Sequence, residues 1–324
     1  MTERVSMRLA YGQALIELGR TRDDIVALSA DVSSSDFSWM FGEAFPDRFL
    51  NVGIAEPCLV DVAVGLAATG YVPFANTFAF LLATRALEAV RTHCAYGGAN
   101  VKLMGAYAGV SDSFDGPTHH SISDIAIMRS LPNMTIVSPA DATAVRKLLP
   151  QIAEWPGPVY VRLNRNELPV LFDDTYAPEI GKAIVHRPGA DVTLIGTGLM
   201  LSRCFEAADL LAADGVDARV IEIHTIKPLD GAAIVAAARE TGALVTAEEH
   251  SIVGGLGGAV LEALAATLPV PVERVGLADT FAASGPYDPL LEFLGLTAAA
   301  IAGAARSAID LKATSLTGGE PTND

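Results

Sequence analysis

Cysteine is scarce in this sequence. The 324 residues include three, Cys58, Cys94 and Cys204, isolated, odd in number and not spaced as a metal knuckle. They read as free thiols in a reducing compartment. Basic residues are few as well: 22 Lys and Arg stand against 38 Asp and Glu, a formal net charge of −16. A groove that tracks a phosphate backbone needs clustered Lys and Arg, so nucleic acid is excluded as a partner. A small phosphorylated substrate is not, because one or two arginines serve it locally. No apolar segment follows Met1-Thr2-Glu3-Arg4, so no secretory signal is expected, and the expected location is cytoplasmic. One uncharged stretch, residues 62–84, is long enough to cross a bilayer, but Gly70, Pro73 and Asn76 interrupt it and its period changes partway. It predicts a buried helix, a turn, a buried strand and the start of another helix, and no membrane span.

What is present is alternation. The chain is 51% hydrophobic, enough for two domains with a core each. Apolar strands are predicted at 25–29, 72–75, 101–104, 135–137 and 159–163, and helices at 8–18, 57–68, 81–94, 122–129 and 142–149. Near-continuous apolar strands between helices imply an α/β fold, a mainly parallel sheet covered on both faces. From Asn166 to Asp191 the pattern lapses amid prolines and acids, which predicts a linker. It resumes with strands at 192–195, 218–223, 243–247 and 272–275 and helices near 199–212, 232–239, 256–268 and 298–311. The expected division is a first domain over 1–170, a linker over 171–190, a second α/β domain over 191–312 and a disordered tail over 313–324.

Three stretches could carry chemistry. In Asn51-Val52-Gly53-Ile54-Ala55-Glu56-Pro57 an acid sits where a short strand meets an apolar helix. Desolvation there would raise its pKa unless a partner offsets it. A first-turn Glu stabilised by the helix dipole is the plainer reading of the residues alone. In Asn76-Thr77-Phe78-Ala79-Phe80, aromatics after a strand could stack on a planar heterocycle or simply pack the core. In Ser111-Asp112-Ser113-Phe114-Asp115-Gly116-Pro117-Thr118-His119-His120, paired histidines follow an Asp in a polar loop after a parallel strand. Open α/β sheets bind ligands at such places, and the pairing suits proton transfer or hydroxyl recognition. The glycines of Gly196-Thr197-Gly198 and of Gly254 to Gly258 miss the spacing of a dinucleotide fingerprint and read as tight turns and close packing. Glu248-Glu249-His250 lines a domain interface or is a solvated strand end.

Taken together and in this order, these residues resemble the C-terminal half of transketolase and its relatives, including 1-deoxyxylulose-5-phosphate synthase. The likeness runs from about Met7 to about Ile309 and rests on Ser29-Ala30-Asp31, Asn51 to Pro57, Thr77-Phe78, Asp115 to His119 and Glu249 to Gly257. It implies a pyrimidine-binding domain over 1–170 and a transketolase C-terminal domain over 191–312. It also implies a thiamine diphosphate ylid activated by Glu56, through a carboxyl proton shared with the aminopyrimidine ring. Phe78 would stack on that ring. Leu81 stands where many relatives have a second Phe, a place Phe80 could fill. Asp31 matches an acid near the cofactor and subunit interface. His119 would handle protons and Asp115 recognise hydroxyls, while Arg8, Ser35 and Arg165 fall where the family holds a sugar phosphate. Tyr107 replaces a phosphate-contacting His. The family's Gly-Asp-Gly motif for magnesium and the cofactor diphosphate is absent from this chain. The resemblance therefore implies no metal ligand here, Mg2+ ligands on a partner, and a two-chain ketol transferase, a heterotetramer with the N-terminal-half subunit. The alternatives are a 2-oxoacid dehydrogenase beta chain, a deoxyxylulose-phosphate-synthase-like enzyme, or a non-catalytic regulatory subunit.

Overall fold

The computed structural model describes residues 3–317, with side chains as far as Thr314. Strands are numbered in chain order. The first domain holds β1 (Arg4–Ser6), β2 (Ile25–Ser29), β3 (Phe49–Asn51), β4 (Val72–Phe78), β5 (Lys102–Ala106), β6 (Thr135–Val137), β7 (Val159–Leu163) and β8 (Glu167–Pro169). The second holds β9 (Ile184–Arg187), β10 (Val192–Gly196), β11 (Ala218–Glu222), β12 (Thr225–Lys227), β13 (Leu244–Ser251) and β14 (Val272–Leu277).

Seven strands form the first sheet in the order β12-β6-β7-β5-β4-β2-β3, and five form the second in the order β14-β13-β10-β11-β9. Every pairing in the first is parallel except that of β12, and every pairing in the second except that of β9. The residues of β2, β5, β7 and β10 are all buried, Lys102 of β5 and Arg162 of β7 among them, as a sheet covered on both faces requires of its inner strands. The short β1 and β8 pair antiparallel beside this core.

Four expectations need correction. The region 171–190 is not only linker: β9 lies in it and closes the edge of the second sheet against β11. It carries little apolar signal because an antiparallel edge strand leaves side chains such as Val185 in solvent. The last helix, Ala298–Thr317, continues through residues 313–317 of the expected disordered tail; residues 318–324 lie outside those described. The helix expected at 81–94 is broken, running Ala79–Ala83, pausing at Thr84 (φ −121°, ψ −72°), and resuming at Leu87–Ala89 into a π-helical turn at Val90–Ala95. Finally, the first sheet is not confined to residues 1–170, since β12 leaves the second domain to pair with β6.

Residues 62–84 divide into helix Glu56–Ala68, strand β4 and helix Ala79–Ala83, as their changing period predicts. Residues 287–314 are long and apolar enough to cross a membrane by composition alone. In the fold they belong to two helices, and the second buries Ile301, Ala302, Ala305 and Ala308 in the protein core.

A buried ion pair fastens the middle of the structure. Arg162, on β7, donates from Nε to Asp124 Oδ2 (2.7 Å) and from Nη2 to Oδ1 (3.2 Å). Tyr160 adds a hydroxyl donor to the same carboxylate (2.7 Å), and Arg162 reaches the Glu249 carbonyl of the second domain (3.1 Å). Burial alone would raise the Asp124 pKa, but Arg162 holds the carboxyl below its ordinary value. Because the folded pKa is depressed, the pair's stabilisation is present above the unfolded pKa, about 4, and is lost as pH falls through the folded one. We expect Asp124→Ala to destabilise the chain by about 3–5 kcal/mol, since it strands a buried guanidinium. Urea denaturation at neutral pH measures this, and a loss below about 1 kcal/mol would show the pair to be dispensable.

Candidate active site

The loops that follow the parallel strands of the first sheet bring most of the singled-out residues to one edge. Asp31 follows β2, Glu56 follows β3, Phe78 ends β4 with Phe80 just beyond, Tyr107 follows β5 and Arg165 follows β7. Asp115 and His119 lie on the loop after β5, and Arg8 is in the first turn of the helix Met7–Thr21.

Tyr107 is the centre of this arrangement. It adopts a left-handed backbone (φ 62°) and is buried. Its ring stacks on Phe78, with centroids 4.6 Å apart. The guanidinium of Arg8 lies 5.1 Å from the Tyr107 ring centroid and that of Arg165 lies 4.9 Å from it. Arg8 donates to the Arg165 carbonyl from Nε (3.0 Å) and Nη2 (2.7 Å), to the Tyr107 hydroxyl (3.3 Å), and to the Ser35 carbonyl. Ser35 thus enters through its backbone. Phe80 reaches His119 edge-on at 5.3 Å, while Leu81 is buried in the core, so Phe80 and not Leu81 faces the site. Asp115 is exposed and interacts with Asp112, whose carboxylate pairs with Arg165.

Glu56 and Asp31 stand apart from this chain of contacts. Glu56 opens its helix with its side chain 1% exposed, and Arg85 Nη1 contacts both carboxylate oxygens, at 3.2 and 3.0 Å. The break at Thr84 puts Arg85 in reach, which a continuous helix does not foretell. Asp31, also left-handed (φ 64°), exchanges hydrogen bonds with Asn51: Asn51 Nδ2 donates to its Oδ1 (2.9 Å) and its own N–H donates to Asn51 Oδ1 (3.1 Å).

Sequence reasoning assigned no role to two buried acids, Asp36 and Asp112. Burial raises the Asp36 carboxyl to about 7 and the Asp112 carboxyl to about 6, the latter despite the opposing Arg165. Glu249 proves to be an interface residue. Its Oε1 accepts from Val110 N–H and from the Tyr287 hydroxyl (2.9 Å each), and its Oε2 accepts from Asn164 (3.2 Å). Burial pushes its carboxyl up to about 7. A Cβ on Gly109 would lie 2.4 Å from Glu249 Cδ, and Gly109 has φ 66°, so glycine is needed there twice over. Further along the same loop, Gly285 N–H donates to the Ser113 carbonyl (2.9 Å) and Ser251 N–H to the Ile122 carbonyl (2.9 Å). The second domain therefore holds the loop that carries Asp115 and His119. Of the two readings the sequence offers for Glu248-Glu249-His250, the domain interface is the one Glu249 occupies. Among the described residues, no group of three or more His, Cys, Asp or Glu is placed to hold a metal ion.

Comparison with known proteins matches this architecture. Residues 3–170 match the family model described as "Transketolase, pyrimidine binding domain", and residues 181–301 match "Transketolase, C-terminal domain". The 6-deoxy-6-sulfo-D-fructose transketolase subunit of Clostridium sp. (strain MSTE9) is 40% identical over 94% of this chain and 95% of its own length. One of the subunits of the apulose-4-phosphate transketolase of Phocaeicola vulgatus is 38% identical over 90% of this chain and 94% of its own length. A solved structure described as "Split gene transketolase, inactive beta4 tetramer" superposes with a TM-score of 0.90 at 45% identity, covering 95% of this chain and 99% of that one. The chain belongs to the transketolase family. Within it, the chain is a C-terminal, beta-type component of a two-chain transketolase, a transferase of the thiamine-diphosphate-dependent class.

Replacing Glu249 with Ala removes the acceptor from two side-chain donors and one loop N–H at once. We expect a loss of about 2 kcal/mol or more in urea denaturation, with partial recovery in Glu249→Gln. An alanine variant as stable as the parent would show that the second domain does not hold the loop.

Proposed function

We propose that this chain supplies the pyrimidine-binding and sugar-binding half of a ketol transferase whose other half lies on a partner subunit. The observation that carries the reading is the convergence at one sheet edge of a buried carboxylate, half-buried aromatic rings, a histidine and two arginines. When bound, thiamine diphosphate supplies the carbanion chemistry by which a two-carbon ketol unit leaves a ketose and joins an aldehyde.

The residues fit the pyrimidine end of that cofactor. Glu56 offers a carboxylate whose only hydrogen-bonding partner among the described residues is Arg85, itself 53% exposed. Such an arginine can turn toward water and leave an oxygen for a ring nitrogen. In an apolar setting that short contact is strong, and a proton shared there raises the basicity of the adjoining amine. Phe78 and Phe80 offer ring faces to a planar heterocycle. Asp31 borders the cofactor where the two chains meet. His119 moves protons at the sugar carbonyl and hydroxyls, Asp115 recognises a hydroxyl, and Arg8, Ser35, Tyr107 and Arg165 form the far end of the sugar pocket.

The diphosphate end has no counterpart here. The Mg2+ ligands come from the N-terminal-half subunit, and the working assembly is a heterotetramer in the cytoplasm. A solved relative described as an inactive tetramer of beta chains supports the need for that partner.

In the reconstituted two-chain enzyme, Glu56→Ala should lower ketol transfer by at least about 100-fold, the scale of a lost proton-transfer group, with the two chains still assembled. Steady-state rates beside size-exclusion profiles test this; full activity in the variant would remove Glu56 from the chemistry.

A further inference from the structure

On the ketol-transfer reading, Arg8, Ser35, Tyr107 and Arg165 form the end of the site that would meet a phosphate, yet its two arginines are already engaged. Arg8 spends its fork on the carbonyls of Arg165 and Ser35 and on the Tyr107 hydroxyl. Arg165 pairs through Nη1 with Asp112 Oδ1, and the Asp112 side chain is 1% exposed with Oδ2 unpartnered. A second buried acid, Asp36, acts on Arg8 and accepts from Ser38 N–H (2.8 Å). The Tyr107 ring is held by Phe78 and by both guanidiniums, so it does not readily yield its place.

Arg165 is therefore matched by a buried carboxylate, and Arg8 is engaged by two carbonyls and a hydroxyl. A phosphate monoester brings about −2 charges and three strong acceptor oxygens. It is best met by unpaired arginine forks. Here it would have to displace Asp112 from Arg165, leaving two anions on one side of a single cation, an arrangement that disfavours the wrong partner. A hydroxymethyl or sulfonate terminus demands less, and the Tyr107 hydroxyl with the open side of Arg165 can meet it.

We propose that Asp112 is a specificity-determining residue, which selects ketoses whose terminus is neutral or singly negative over those that end in a phosphate dianion. This rests on the ketol-transfer reading above. The experiment compares kcat/KM of the reconstituted two-chain enzyme on D-fructose, 6-deoxy-6-sulfo-D-fructose and D-fructose 6-phosphate. The parent enzyme should favour at least one of the first two over the phosphate ester by about ten-fold or more, and Asp112→Asn should improve the phosphate ester about ten-fold relative to the others. Asp112→Ser serves if the asparagine variant does not fold. A parent enzyme that prefers the phosphate ester, or a variant that changes all three donors by one factor, overturns the proposal. Loss of turnover on every donor with thiamine diphosphate still bound would count against the ketol-transfer reading instead. In that case 31P line broadening of inorganic phosphate by the same complexes decides the matter: about ten-fold tighter binding to the variant supports Asp112, and equal binding overturns it.

Discussion

A parallel sheet covered on both faces has room for polar side chains at its ends and almost nowhere else. In β2, β5 and β7 every residue is buried, and the ladder consumes their backbone donors and acceptors. Chemistry is thereby confined to the loops that leave the strands. Five strands deliver Asp31, Glu56, Phe78, Tyr107 and Arg165 to the same edge, and the first helix brings Arg8 to meet them. The site is in this sense a consequence of the packing of the sheet.

Burial also dictates how charge is handled there. Three carboxylates that are almost fully buried have an arginine each, but the arginines differ in exposure: 5% for Arg162 on Asp124, 33% for Arg165 on Asp112 and 53% for Arg85 on Glu56. Desolvation makes an unpaired buried charge costly, so a closed pair is fixed. A pair whose cation lies mostly in water, as Arg85 does on Glu56, can exchange its partner. The first pair therefore belongs to the framework, where it also ties β7 to the Glu249 backbone. The other two lie at the edge where the strand-end loops gather. The second domain contributes through Glu249, Ser251 and Gly285, which hold the loop that carries Asp115 and His119 from behind.

Much of this was legible in the sequence. The largely apolar strands β2, β6 and β7 announced themselves at their true bounds, and the polar loop after β5 lies at the candidate site. Contacts between distant segments were not legible. Arg85 reaches Glu56 because a helix breaks at Thr84, Asp112 matters because Arg165 returns to it from β7, and β12 pairs with β6 across the domain boundary. The edge strand β9 escaped because it is short, carries two basic side chains and leaves Val185 in water, and the last helix outran its apolar stripe into polar residues that still propagate helix.

On the proposed function, this chain holds half a site. The most direct measurement isolates the tagged chain gently from its native host and assays for a second protein and for bound thiamine diphosphate. The account predicts a stoichiometric partner that carries a Gly-Asp-Gly sequence, with cofactor retained by the pair and lost when the chains are separated. A lone chain that binds the cofactor tightly and transfers ketol units unaided would contradict it.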